Sequence, residues 1–202
     1  MRRRGGMGCQ STTCVNGYRS WIIGARLSAY AQFRTGNATE GEDVTGLTCT
    51  LRPEQIGQVV EIEERTFAQP WTVDDFEWVS RDEGAINLGL WKDETLVGYA
   101  IGAIEGAGFH LASLAIDLPY RRQGWGSRLL CASMARAATR GCQTCRLAAR
   151  RSNDASLQMY RKFDFAVDGV GRRFYTKPVE DAWLLSRPLS VLGGEEDGSS
   201  RS

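Results

Sequence analysis

A chain of 202 residues, 42% hydrophobic and 24% charged, suffices for one globular domain of ordinary size plus extensions, with a core that needs no disulfide staples. Its formal net charge of +1 says little about partners and gives no reason to expect nucleic acid. No apolar run approaches the roughly 20 residues of a membrane span, so no membrane partner is expected either.

Residues 1–39 hold six arginines, no lysine and no Asp or Glu. Such a start fits an organelle transit peptide or a disordered leader. The expected division is a disordered leader over 1–46, a folded domain over 47–189 and a flexible, Gly-, Ser- and Glu-rich tail over 190–202. Thr48 to Arg52 reads as a short strand. Pro53 suits the first turn of a helix carrying Ile56, Val59, Val60, Ile62 and Phe67. Pro70 interrupts, and Thr72 can cap a second helix holding Phe76 and Val79. Glu63, Glu64 and Asp74 on these helices are expected on a solvated face; the alternative is that one of them holds an ammonium group. Ala85 to Trp91 and Thr95 to Ile104 form a strand pair turned at Lys92 to Glu94. Gly106 and Gly108 make the next turn, into a strand from Phe109 to Ile116.

A helix follows with Leu130, Met134 and Ala137 on one face and Cys131 expected on the same buried side; Gly141 caps its end. Cys142 and Cys145 have CxxC spacing, but no second pair or nearby histidine completes a zinc site. They read as reduced thiols, with no metal, in a cytoplasmic compartment. Cys145 to Ala149 is the fifth strand. Ser152 or Asn153 caps a helix running to about Phe163, and Phe165 to Val170 and Trp183 to Ser186 close the sheet.

Chemistry concentrates at the handover from the fourth strand to the long helix. Leu111 to Ile116 is an apolar run, and Gly124 and Gly126 lie just beyond it, at a helix start. There the backbone can pass close to a ligand, while the first helical N–H groups lack intrahelical partners. Those donors and the helix dipole suit a diphosphate, and Arg121 and Arg122 add full charge. The bland alternative is a surface turn with two arginines in water. The third glycine of a dinucleotide fingerprint is missing, and no Gly-Lys-Ser/Thr completes a Walker loop.

Arg121-Arg122-Gln123-Gly124-Trp125-Gly126 resembles the Arg/Gln-x-x-Gly-x-Gly/Ala signature of GNAT acyltransferases. Arg150 to Phe165, with Ser152-Asn153, Ala155 and Tyr160, is similar to a second block of the N-terminal acetyltransferases, most like the ribosomal-protein-alanine branch. The resemblance covers about Leu47 to Leu189. It implies an α/β (α+β) GNAT fold: a mixed, mostly antiparallel sheet of about seven strands, helices on both faces, splayed between strands 4 and 5. It also implies acetyl-CoA as co-substrate, lying in that splay. Backbone groups of Leu114, Ala115 and Ile116 would pair with the pantetheine arm, and an N–H near Ile116 would polarise the thioester carbonyl. Arg121, Arg122, Gln123, Gly124, Trp125, Gly126 and Ser127 would hold the diphosphate. By the same resemblance Asn153 orients the arm, Tyr160 gives a proton to the departing thiolate, and Trp71 and Tyr175 line the acceptor side.

One position departs from the family. The ribosomal-protein-alanine acetyltransferases carry a glutamate base two residues before the arginine of the second block, where this chain has Ala148. His110, the only histidine, begins the fourth strand and is the substitute candidate, with an expected rate limb near pH 6 to 7; the alternatives are a water relay or no base. An α-amine near pKa 8 is roughly a tenth neutral at pH 7, a lysine amine about one part in 2,500, a difference of about 3 kcal/mol. A weak base therefore favours a protein N-terminus. The other expected acceptor is a small-molecule amine, and Ala148 also allows a non-catalytic acyl-CoA-binding module. The protein is expected to act as a monomer or dimer.

Overall fold

The computed structural model describes residues 46–189; the leader and the tail lie outside the described residues. β1 (Gly46–Thr50) runs antiparallel to β2 (Ala85–Lys92), which continues through β3 (Thr95–Glu105) and β4 (Gly108–Ile116) as a meander. The two turns need left-handed backbone, supplied by Asp93 at φ 55° and Gly106 at φ 58°. β5 (Thr144–Arg150) joins β4 in parallel, and the hairpin of β6 (Ala166–Thr176) and β7 (Val179–Pro188) completes the order β1-β2-β3-β4-β5-β7-β6. The seven-stranded, mostly antiparallel sheet is the one expected.

Alternation along the strands makes two cores. Towards one face, Leu96, Tyr99, Ile101 and Ala115 meet α1 (Ile56–Thr66) and α2 (Val73–Ser80) through Val59, Ile62 and Phe76. Towards the other, Leu88, Leu90, Phe109 and Leu147 meet α3 (Trp125–Thr139) and α4 (Asp154–Lys162) through Leu129, Met134 and Leu157. Local signals set the helix ends. Pro53 opens a 3-10 turn, Pro53–Gln55, before α1 begins. Thr72 Oγ1 accepts from Asp75 N–H at 3.3 Å and Asp75 accepts from Thr72 N–H at 2.9 Å, a reciprocal cap that contributes about 1 kcal/mol. Asn153, rather than Ser152, caps α4 by accepting from Ser156 N–H at 3.2 Å.

Two expectations are corrected. Cys131 is exposed, because the buried stripe of α3 runs through Leu130, Ser133, Met134 and Ala137 and passes it by. The last two strands are about twice as long as their apolar runs suggest: β6 is an exposed edge strand, so its side chains need not alternate, and irregularities at Val167/Gly169 and Gly171/Tyr175 break the period.

The feature that positions the site is the junction of β4 and β5. They pair only at Gly108–Thr144, Phe109–Cys145 and His110–Arg146. Just beyond, Ala112 is an extra residue: Leu111 faces Gly102 while Ser113 faces Ile101. The bulge bends β4, and the two strands part.

Candidate active site

The parted strands bound a groove of about 960 Å³, walled by residues 111–116 of β4 and 147–150 of β5. Asp117 N–H bonds Val97 O across the β3–β4 ladder at 2.9 Å. Strand alternation therefore turns the backbone groups of Ile116 and Leu114 away from β3, into the gap. Ala115 does the reverse: it pairs with Tyr99, and its methyl is buried under α1. Of the three backbone contacts expected, Leu114 and Ile116 face the gap and Ala115 faces β3. Ile116 O is taken by Arg121 Nε at 2.9 Å, which leaves its N–H as the donor on that edge.

At one end of the groove lies the start of α3. Gly124 stands at φ 84°, a conformation that lets the chain turn into the helix with its first N–H groups outward. A Cβ on Gly126 would sit 3.3 Å from Met159 Sδ and 3.8 Å from Ile116 Cγ1, so the glycine keeps the passage between α3, α4 and β4 open. Gly124, Gly126 and Ser127 line the groove, as do Arg121 and Arg122. Their side-chain roles differ. Arg121 ties the end of β4 to the end of α1, donating to Thr66 Oγ1 at 3.2 Å as well as to Ile116 O. Arg122 is exposed beside the helix start, at φ 65°. The Trp125 ring is buried and donates to Gln123 Oε1 at 3.2 Å, while Gln123 Nε2 bonds Pro119 O at 3.3 Å. Gln123 is thus spent on holding the loop and is not among the residues lining the groove, and Trp125 offers its backbone rather than its ring.

Asn153 and Tyr160, one face of α4, both line the groove. Burial raises the Tyr160 phenol above its ordinary range, so it stays protonated throughout neutral pH. The β6–β7 hairpin closes the other end. Arg150 is its clamp: the guanidinium donates to Glu180 at 3.1 Å and Lys177 O at 3.0 Å and lies 4.0 Å from the Tyr175 ring centre. Ser152 N–H at 2.7 Å, with Arg150, holds the Glu180 carboxyl below the usual range. Thr176 Oγ1 bonds Gln69 Oε1 at 3.1 Å, joining the hairpin to the α1–α2 loop beside Trp71. Trp71, Tyr175 and Ala148 therefore meet at one end of the groove.

Among the described residues, the one carboxyl raised far above its ordinary range is on α1. Glu63, expected on a solvated face, is 2% exposed and lines the groove. Burial pushes its pKa up to about 7, against the Trp71 N–H at 3.2 Å and the Ser113 hydroxyl at 3.4 Å, which favour the anion. Ser113, in turn, lies 3.0 Å from Tyr99 OH. A legible signal existed: Glu63 lies seven residues after Ile56 and four after Val59, on the same apolar stripe. Glu64 and Asp74 are exposed as expected.

His110 is corrected in two respects. It lies in the last paired step before the strands part and lines a side cavity rather than the groove. Burial, with Arg146 alongside, lowers its pKa to about 4, so it is neutral at pH 7 and supplies no limb near pH 6 to 7.

The sequence model of the acetyltransferase (GNAT) family matches residues 53–165. The ribosomal protein bS18-alanine N-acetyltransferase of Salmonella typhimurium is 30% identical over 133 residues, 65% of this chain and 89% of that protein. The crystal structure of the ribosomal-protein-S18-alanine N-acetyltransferase of Escherichia coli matches with a TM-score of 0.68 at 28% identity, over 74% of this chain and 97% of its own. The PaiA N-acetyltransferase of Thermoplasma acidophilum, solved in complex with coenzyme A, shares the fold at a TM-score of 0.58 and 18% identity, over 71% of this chain and 99% of its own.

Proposed function

This chain belongs to the acetyltransferase (GNAT) family, and from that membership, which makes it an N-acetyltransferase, we propose that it transfers acetyl from acetyl-CoA to the α-amine of a protein N-terminus. The observation that carries the assignment is the conjunction, in one groove, of a glycine-bounded helix start at one end and the buried Glu63 towards the other. The groove fits the donor: unpaired N–H groups and Arg122 suit a diphosphate, and the Leu114 and Ile116 edge suits an amide-bearing arm. Bound there, acetyl-CoA supplies an acyl group already activated as a thioester.

The chain's own residues then do three things. Ile116 N–H donates to the oxygen that gains charge as the amine attacks. Glu63, with a pKa of about 7, is half ionised at neutral pH and takes the proton that the amine sheds, directly or through the Ser113 hydroxyl and a water. Tyr160 gives its phenol proton to the departing thiolate, which leaves as the thiol, and the phenolate regains a proton from solvent. Glu63 thereby replaces the carboxylate that Ala148 removes. No helix among the described residues is long and apolar enough to cross a membrane, and the four free cysteines among them fit a cytoplasmic setting.

Thiol release from acetyl-CoA, followed over peptides with free and with blocked N-termini, tests this assignment. Release is expected only with free α-amines. Release with small amines and with no peptide would replace the acceptor; binding of acetyl-CoA without release under any condition would make the protein a binding module. Tyr160→Phe is expected to lower kcat by about 10² while leaving the pH limb of Glu63 in place, since it acts on the leaving group.

A further inference from the structure

A cavity of about 160 Å³ opens off the acceptor end of the groove. Trp71, Leu111, Ala112, Ala148 and Tyr175 line both spaces, so they adjoin where β4 and β5 part. The methyl of Ala148 stands at this junction, where a longer side chain would narrow the passage. Beyond the junction the lining is mostly apolar: Val79 and Trp78 of α2, Ala103 of β3 and Phe174 of the hairpin. Trp78 is 61% exposed, an aromatic face left open at the rim.

Asp82 and Glu105 are the carboxylates of the cavity, His110 and Tyr175 add an imidazole and a phenol, and no lysine or arginine lines it. Asp82 Oδ1 accepts from Gly84 N–H at 2.6 Å. Neither Asp82 nor Glu105 has an ion-pair partner among the described residues, and both are exposed. Arg146 is beside His110 on β5, outside the lining.

Charge along the chain is divided in the same sense. Residues 52–105 hold twelve Asp and Glu against four Lys and Arg; residues 106–189 hold six against fourteen. The second part carries the helix start and arginines that suit the anionic donor. The first carries α1, α2, β2 and β3, the acceptor side, where an excess of negative charge draws in a cation and raises its local concentration.

We propose that this cavity is a subsite for a lysine or arginine side chain at the first or second position of the acceptor polypeptide. The aliphatic stem lies along Val79 and Leu111, and the charged head reaches the carboxylates of Asp82 and Glu105 beside the open face of Trp78. The preferred acceptor is therefore a polypeptide that begins with a basic residue or carries one next to its first. This rests on the acetyl transfer to N-termini proposed above.

The test is kcat/KM of the full chain with acetyl-CoA over two peptide series, one varied at the first residue and one at the second, each carrying Arg, Lys, Leu, Glu or Gly. Arg and Lys are expected to exceed Glu and Gly by at least tenfold in one of the series, and to exceed Leu. The double substitution Asp82→Asn, Glu105→Gln is expected to bring the Arg-to-Gly ratio within about twofold of one. Raising the salt from 0.05 to 0.5 M is expected to shrink the same ratio, because exposed charges are screened. Acetyl transfer with no basic preference, with Leu equal to Arg, or with a preference that survives the double substitution overturns the subsite and leaves the transfer itself standing. Absence of transfer to every peptide overturns the reaction on which the subsite rests.

Discussion

Replacing Glu63 by glutamine is expected to lower kcat/KM for a peptide acceptor by about 10² to 10⁴, the span of a lost general base, with acetyl-CoA affinity unchanged. Glutamine keeps an acceptor oxygen for the Trp71 N–H, so the α1–α2 junction is preserved while the proton site is removed. The pH profile identifies the group. In the native protein the rate at low acceptor rises as the carboxyl ionises through about pH 7, and again as the free α-amine loses its proton near pH 8. The variant keeps only the second rise. His110→Ala, by contrast, is expected to leave the rise near pH 7 in place, because His110 is neutral over that whole range.

Stability is expected to move the opposite way. The Glu63 carboxyl is raised from 4.5 to about 7 on folding. Between those values the folded protein binds more protons than the unfolded chain, so the contribution is complete below pH 4.5, falls as pH rises, and is lost above 7. The penalty for holding the anion in the groove is about 3 kcal/mol. Glutamine carries no such penalty, so the Tm of the variant relative to the native protein is expected to climb from pH 5 to pH 8. A variant less stable than the native protein at pH 8 would contradict the burial argument. Gain in stability with loss of rate is the pattern of a group kept for its chemistry rather than for packing.

The second large effect is expected at the helix start. Gly124→Val should weaken acetyl-CoA binding by well over tenfold in calorimetry. A Cβ there meets no protein atom, so crowding within the fold is not the cause. The cost is in the backbone, because a β-branched residue is strained at φ 84°. Relief of that strain would swing the first N–H groups of α3 away from the diphosphate. Arg122→Ala should be milder, because an exposed charge contributes less than fixed backbone donors. Wild-type affinity for Gly124→Val would remove this loop from the binding site.

How far the site was legible in the sequence depends on which atoms perform each role. The phosphate loop was legible because its chemistry is backbone chemistry: two glycines at a strand-to-helix handover announce themselves by the absence of side chains. Thr72 announced α2 in the same way, since its cap needs only the residue three positions on. What was hidden depended on tertiary neighbours. Glu63 reads as a solvent residue by type; its spacing from Ile56 and Val59 put it on the apolar stripe of α1, but the packing of that stripe against Tyr99 and Ala115 of the sheet is what takes its carboxyl out of water. Ala115 reads as an equal of Leu114 and Ile116 in an apolar run, but the alternation of hydrogen bonds to β3 sets it apart. His110 reads as a base by its solution chemistry, until burial and Arg146 lower it. The Gln123 side chain carries a motif position, yet it serves the loop rather than the groove.

The most direct test of the account is to find where the acetyl group goes. A peptide with a free N-terminus and one internal lysine, incubated with the protein and acetyl-CoA at pH 7, is read by tandem mass spectrometry. A single acetyl group on the α-amine is expected, formed at a rate that Glu63→Gln lowers by about 10² to 10⁴ and Gly124→Val makes dependent on high acetyl-CoA. Acetylation of the lysine side chain instead of the N-terminus, or a Glu63→Gln protein that acetylates as fast as the native one, would contradict it.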